Sequence, residues 1–202
     1  MTIESDERCV TYKRKDYRLV IDSAYRKASI AAYNDFSLKH ACMNLYSAFI
    51  VHKGWGLMLH SSCVVEDGKA YLFAGQSGAG KSTVAKLSAP RPLLSDEATL
   101  VKISDGKAVV YHSPFRSELQ SSYDGGRCPL AGIHLLVQSL EVERKPVASS
   151  EGFYQLMDKV FYWAHDAGGT GSVLRLLRDL VQAVPVYKLY FQKNDTFWEK
   201  IS

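Results

Sequence analysis

Residues 75–82 read Gly-Gln-Ser-Gly-Ala-Gly-Lys-Ser and match G-x-x-x-x-G-K-[ST]. An apolar run ending at Ala74 precedes the match, and the helix-compatible segment 82–87 follows it. In that context the residue types carry a specific chemistry. Glycines let backbone N–H groups turn inward around phosphate oxygens, and a helix starting directly afterwards aims its positive end at the same charge. Lys81 then reaches the β and γ phosphates, and the Ser82 hydroxyl ligates Mg²⁺. Gly75, Gln76, Ser77, Gly78, Ala79, Gly80, Lys81, Ser82 and Thr83 are the expected nucleotide contacts, with ATP and Mg²⁺ as the expected ligands. Gly78 and Gly80 are positions where a Cβ would obstruct the loop.

Such a loop serves ATPases, GTPases, transport motors and kinases alike, so other residues must discriminate. The guanine-reading order N-K-x-D is absent, and residues 192–195 hold the same residue types in the wrong order. L-S-G-G-Q, the mark of ABC transporters, does not occur either. Asp96 and Glu97, at the end of "PLLSDE", follow Lys81 by fifteen and sixteen residues. A helix and a returning strand would bring them beside the phosphates. Adjacent carboxylates on an extended segment point to opposite sides, so one can hold Mg²⁺ while the other accepts the proton of an attacking hydroxyl. The plain alternative is a solvated acidic turn. His60 stands fifteen residues before Gly75. On its own it reads as a satisfied strand histidine.

Taken jointly, His60, its interval, "AGQSGAGKS" and a short strand ending in two acids resemble the catalytic domain of bacterial HPr kinase/phosphorylase. The resemblance covers roughly residues 57–140. It implies a P-loop within a mixed α/β sheet, as in phosphoenolpyruvate carboxykinase, and transfer of the ATP γ-phosphoryl group to a serine. By that resemblance Lys81 and Ser82 become phosphate and magnesium contacts, Asp96 and Glu97 the two catalytic acids with Asp96 also on the metal, and His60 a catalytic residue lining the phosphate site. This chain departs from the family pattern in Thr83, where Glu is usual, in Glu97, where the second acid is usually Asp, and in Arg127, which falls where a later glutamate is expected. The compact form resembles kinases that act on the C-terminal serine of lasso-peptide precursors. The expected partner is a peptide or small protein carrying a serine, an HPr-like carrier included, with self-association left open. A small-molecule kinase and a non-catalytic ATP-binding regulatory module are the alternatives.

Several further residues carry charge near these motifs. Arg116 and Glu118 in "SPFRSEL" could face the γ-phosphate or a peptide, or form a surface ion pair. Arg175 and Arg178 share a helix face and read first as solvated charge. Gly168, Gly169 and Gly171 suggest a mobile connection before that helix. No pair of histidines has metal-ligand spacing.

The elements that must position this chemistry are legible in outline. Apolar runs in 10–33 suggest edge strands, and Leu38, Cys42, Leu45 and Phe49 recur at helical spacing, predicting a helix over 37–52 capped by Ser37 and ended by Gly54. Asp67-Gly68 and Asp105-Gly106 predict tight hairpin turns. "AGIHLLVQ" and "VYKLYFQ" read as strands, "SSEGFYQLMDKVFYWA" and "SVLRLLRDLVQAV" as amphipathic helices, the first with Phe153, Leu156, Met157, Val160 and Phe161 in the core. The resulting expectation is one kinase-like domain over 1–202, comprising strands and a helix in 1–55, a nucleotide-binding core in 56–140 and a helical part in 141–202.

Composition is compatible with this. The chain has 202 residues and a net charge of +4, with basic residues spread along it, so an anionic ligand is favoured over nucleic acid. Four cysteines without metal or disulfide spacing, and a polar N-terminus without an apolar span, suggest a cytoplasmic protein that neither crosses nor binds a membrane.

Overall fold

A computed structural model describes residues 1–201 except 118, 120–122 and 124. The chain forms two compact units, one of residues 1–55 and 161–174, the other of residues 56–160 and 175–202.

In the first unit, β1 (Thr2–Ser5), β2 (Cys9–Lys13), β3 (Tyr17–Asp22) and β4 (Ala28–Ala32) form an antiparallel meander in that order, followed by helix α1 (Asp35–His52). Asn34, not Ser37, caps α1. Its side chain accepts from the Ser37 amide at 2.9 Å while the Ser37 hydroxyl receives the Asn34 amide at 2.9 Å, a reciprocal box that satisfies two otherwise orphaned donors. The buried face also differs from the expected one. Leu38 and Phe49 are exposed, and Ala41, Asn44 and Ala48 face inward instead. The small side chains at 41 and 48 allow close approach to Tyr12, Leu19 and Ile21 of the sheet, and the Asn44 amide donates to the Tyr17 hydroxyl at 3.2 Å.

The second unit is a mixed α/β structure built on one large sheet. β5 (Gly56–Glu66) and β6 (Lys69–Ala74) form a hairpin, as do β8 (Ala98–Ser104) and β9 (Lys107–Tyr111). Both turns use the predicted Asp-Gly pairs, all four residues having positive φ. With β7 (Leu93–Ser95) on β5, and β10 (Arg127–Gln138), β11 (Glu143–Val147) and β12 (Val186–Phe191), the order is β11-β12-β10-β6-β5-β8-β9. β10 runs parallel to β6 and β12; its first residues pair antiparallel with β9, so β10, β6, β5, β8 and β9 close into a ring.

Helix α2 (Lys81–Leu87) follows β6 through the glycine-rich loop. Val84 and Ala85 of α2 pack with Phe73, Leu136, Leu189 and Phe191 from the strands and with Phe197 and Trp198 of a C-terminal 3-10 turn (Thr196–Lys200). The Trp198 indole N–H reaches the Ser88 hydroxyl at 3.0 Å, tying that turn to the end of α2. The loop is shaped by two glycines in the left-handed region, Gly78 at φ 80° and Gly80 at φ 106°. They differ in kind. A Cβ at Gly80 would lie 2.6 Å from the Phe191 ring, whereas one at Gly78 would meet nothing within 4 Å. Only Gly80 therefore obeys the expected steric rule; Gly78 is required by its backbone angle alone.

Helices of the C-terminal part depart most from expectation. α3 (Ser149–Met157) stops early, because the chain beyond it returns to β5: the Lys159 carbonyl accepts the His60 amide at 2.7 Å and Val160 bridges Leu59. Leu156 is buried as expected, but Met157 is exposed and Val160 and Phe161 lie outside any helix. α4 (Ala167–Ala183) begins early and includes Gly168, Gly169 and Gly171, so these lie within the helix start and not in a connection before it. The Asp166 carboxylate accepts the Gly169 amide at 2.5 Å, satisfying one of the free donors at that helix start.

Two expected outcomes follow from this packing. His134 of β10 is fully buried, its ring stacked between Phe73 at 5.3 Å and Tyr187 at 5.5 Å. Burial, reinforced by the Arg144 charge, lowers its pKa to about 3. Between that value and the unfolded value near 6.5 only the unfolded chain takes up the proton, so stability is full at neutral pH and is lost as pH falls below about 6.5. Moving from pH 7 to pH 5 should cost about 2 kcal/mol through this group, and His134→Phe should flatten that part of a denaturation profile taken against pH. In urea titrations, Gly78→Ala should cost about 1 kcal/mol for its positive φ, and Gly80→Ala about 2–3 kcal/mol because its methyl also meets Phe191.

Candidate active site

β5, β6 and β7 bring the loop, the histidine and the two acids to one cleft. Its volume is about 350 Å³, and its walls are His60, Ser77, Gly78, Gly80, Lys81, Ser82, Thr83, Asp96, Glu97 and Ser117. The grouping follows from strand pairing. Ser61 of β5 lies opposite Ala74, the last residue before the loop, and Cys63 lies opposite Ser95, the last residue before the acids. One strand thus holds His60 at a fixed register from both chemical segments.

Lys81 is 8% exposed, and its ammonium donates to the carbonyls of Gly75 at 2.9 Å and Gln76 at 3.1 Å. Loss of water lowers its pKa, and the charge of Lys159 adds to the effect. The Ser62 hydroxyl donates to the Lys81 carbonyl at 3.1 Å and so fixes the start of α2 on β5. On the other side of the loop, the Gln138 amide donates to the Gly78 carbonyl at 2.8 Å. The loop is held open by side chains at both flanks.

Asp96 is 3% exposed. Its Oδ2 accepts the Ser117 hydroxyl at 2.7 Å, the Ser117 amide at 3.2 Å and the Leu119 amide at 3.0 Å, and the Ser117 amide is shared with Oδ1 at 3.1 Å. The carboxylate is therefore oriented by a loop more than twenty positions further along the chain. Glu97 is partly buried, and its carbonyl accepts the Ser61 amide at 3.2 Å. Adjacent on the chain, the acids differ in surroundings as their alternation requires. His60 is partly buried; desolvation and the nearby Lys81 charge lower its pKa despite the opposing pull of Glu97, so it is a neutral imidazole at pH 7.

Arg116 serves the 112–119 segment. Its guanidinium donates to the carbonyls of Ser113 at 3.1 Å, Leu94 at 3.3 Å and Leu119 at 3.4 Å and lies 2.6 Å from the His112 ring. It thereby shapes the loop whose amides hold Asp96. Glu118 lies outside the described residues. Arg175 and Arg178 are exposed on α4, the latter paired with Asp179 at 2.8 Å.

Sequence reading missed three residues here. Ser117 supports the acid and Ser62 the start of α2, and Lys159, beyond the end of α3, accepts the His60 amide at its carbonyl. A lone serine or lysine at such distances carries no pattern in a sequence, since strand register alone brings it in. The four cysteines are free thiols. A further cavity of about 400 Å³ lies within the first unit, bordered by Tyr25, His52, Tyr162, His165 and Asp166, none of which belongs to the expected site. No described helix is long and apolar enough to cross a membrane.

Among solved structures, the HPr(Ser) kinase/phosphatase from Coxiella burnetii is similar at 11% sequence identity with a TM-score of 0.40, the match covering 71% of this chain and 90% of that one. No curated protein matches the chain. The family model described as ScmC, SynChlorMet cassette protein ScmC, matches residues 27–202. With most of its length matched, the chain belongs to the ScmC family of SynChlorMet cassette proteins.

Proposed function

We propose that the protein is an ATP-dependent kinase that transfers the γ-phosphoryl group to a serine hydroxyl of a peptide or small protein. The observation that carries this reading is the convergence of Lys81, the glycine-rich loop, the Asp96–Glu97 pair and His60 on one cleft. A phosphate loop with two acids facing it has the parts that phosphoryl transfer needs, namely charge neutralisation and an acceptor for one proton. The serine acceptor and the peptide class are supported by the sequence resemblance alone.

The donor set suits the nucleotide and its metal. Magnesium bound with a triphosphate takes only one or two protein oxygens, which the Ser82 hydroxyl and the Asp96 carboxylate would supply as hard donors. Its contribution is to neutralise phosphate charge. Lys81 binds the phosphate oxygens as an ammonium already stripped of most of its water, which strengthens its attraction for an anion. Asp96, with Oδ2 accepting three donors, acts as an oriented anchor. Proton removal therefore falls to Glu97: the serine O–H proton passes to its carboxylate, the serine oxygen bonds to the γ-phosphorus, and the bond to the bridging oxygen breaks to release ADP. His60, uncharged, can donate one hydrogen bond to a phosphate oxygen without adding charge.

Incubation with ATP, Mg²⁺ and peptides ending in serine, read by mass spectrometry, tests this directly. Phosphopeptide should accumulate with the wild-type protein and be lost in Lys81→Ala. Glu97→Gln should reduce turnover by about 10²–10⁴-fold while nucleotide affinity, measured by calorimetry, changes by no more than a few fold. Full turnover in Glu97→Gln would remove the base assignment, and nucleotide binding without transfer to any serine peptide would leave a binding module in place of a kinase.

A further inference from the structure

Lys159 follows the end of α3 and is 8% exposed, an unusual state for a lysine. Its main chain is fastened to the cleft strand: its carbonyl accepts the His60 amide at 2.7 Å, and the next residue bridges Leu59. Together with Gln155, Lys188 and the loop residues Gly75 to Ala79, Lys159 lines a cavity of about 380 Å³. The loop thus has one lysine at its end and shares a cavity with another.

The partner of Lys159 is weakly committed. Its ammonium pairs at 2.5 Å with Asp158, the preceding residue, whose side chain is 64% exposed. A carboxylate that far into water gains little from the pair and is easily exchanged. Through its backbone hydrogen bond Lys159 also stands beside His60, which lines the cleft together with Lys81. Two largely buried ammonium groups beside one glycine-rich loop suit an anion of more than one negative charge.

We infer that Lys159 is a second phosphate-binding cation, whose ammonium exchanges Asp158 for the terminal phosphate of the nucleotide held by the loop. This rests on the nucleotide reading above and deepens it by naming a residue that distinguishes a triphosphate from a diphosphate. Lys188, the other cation on that cavity, is already paired with Glu151 at 2.6 Å. Lys159, its side chain 9% exposed against 34% for Lys188, is the cation more deprived of water and so the one that gains more from a phosphate.

Calorimetric titration with Mg²⁺ and either a non-hydrolysable ATP analogue or ADP tests it on the full chain. Lys159→Met should weaken the triphosphate analogue by about tenfold or more and ADP by less than threefold. Lys159→Arg should bind both nearly as the wild type does, and Asp158→Asn, by removing the competing carboxylate, should tighten the triphosphate analogue several fold. Thermal melting checks that each variant is folded; should Lys159→Met fail to fold, the Asp158→Asn titration decides, unchanged affinity counting against the inference. Equal affinity of Lys159→Met and wild type for the triphosphate analogue would overturn it, as would equal loss for both nucleotides. A wild-type protein that binds neither nucleotide would instead overturn the nucleotide reading, and this inference with it.

Discussion

Burial of positive charge is the constraint around which the second unit is organised. Lys81 and Lys159 are each 8% exposed, and a fold keeps a dehydrated ammonium only if polar groups replace its water. For Lys81 those groups are the carbonyls of Gly75 and Gln76 at the start of the loop. Among the described residues no carboxylate pairs with Lys81. Dipoles satisfy its hydrogen bonds without cancelling its charge, so the cleft stays attractive to anions.

The rest of the unit maintains that state. A ring of five strands closed by β10 on β9 leaves β5 little room to shift, and β5 contributes His60 and Ser62 directly and receives the acids through its pairing with β7. Asp96 is buried near the same cleft yet kept from swinging toward Lys81 by the hydroxyl and two amides of Ser117 and Leu119. Arg116, by holding the carbonyls of its own loop, keeps those donors in place. A carboxylate and an ammonium thus line one cleft, each held by its own hydrogen-bond partners.

Local signals in the sequence matched local structure where the cause was itself local. The Asp-Gly turns, the strands β5, β6, β8, β9, β10 and β12, and the loop from Gly75 to Lys81 all rest on backbone preferences within a few residues. Helix ends were less legible. Periodicity placed an apolar stripe on α1 at Leu38 and Phe49, but close packing on the sheet selected Ala41 and Ala48, and it extended α3 past Met157, where the β5 edge at His60 instead claimed the chain for a backbone hydrogen bond.

By itself the sequence determined that a glycine-rich loop joins a strand to a helix and that His60, Asp96 and Glu97 stand at intervals able to reach it, because residue type and spacing within one strand–loop–helix passage set both. Only tertiary structure decided what surrounds them. That Ser117 orients Asp96, that Arg116 braces a loop, and that Lys159 adds a second buried charge depend on contacts between segments 21 to 84 residues apart. Hydrogen bonds and charges act through space, and contacts made across a sheet leave no periodic trace along the chain.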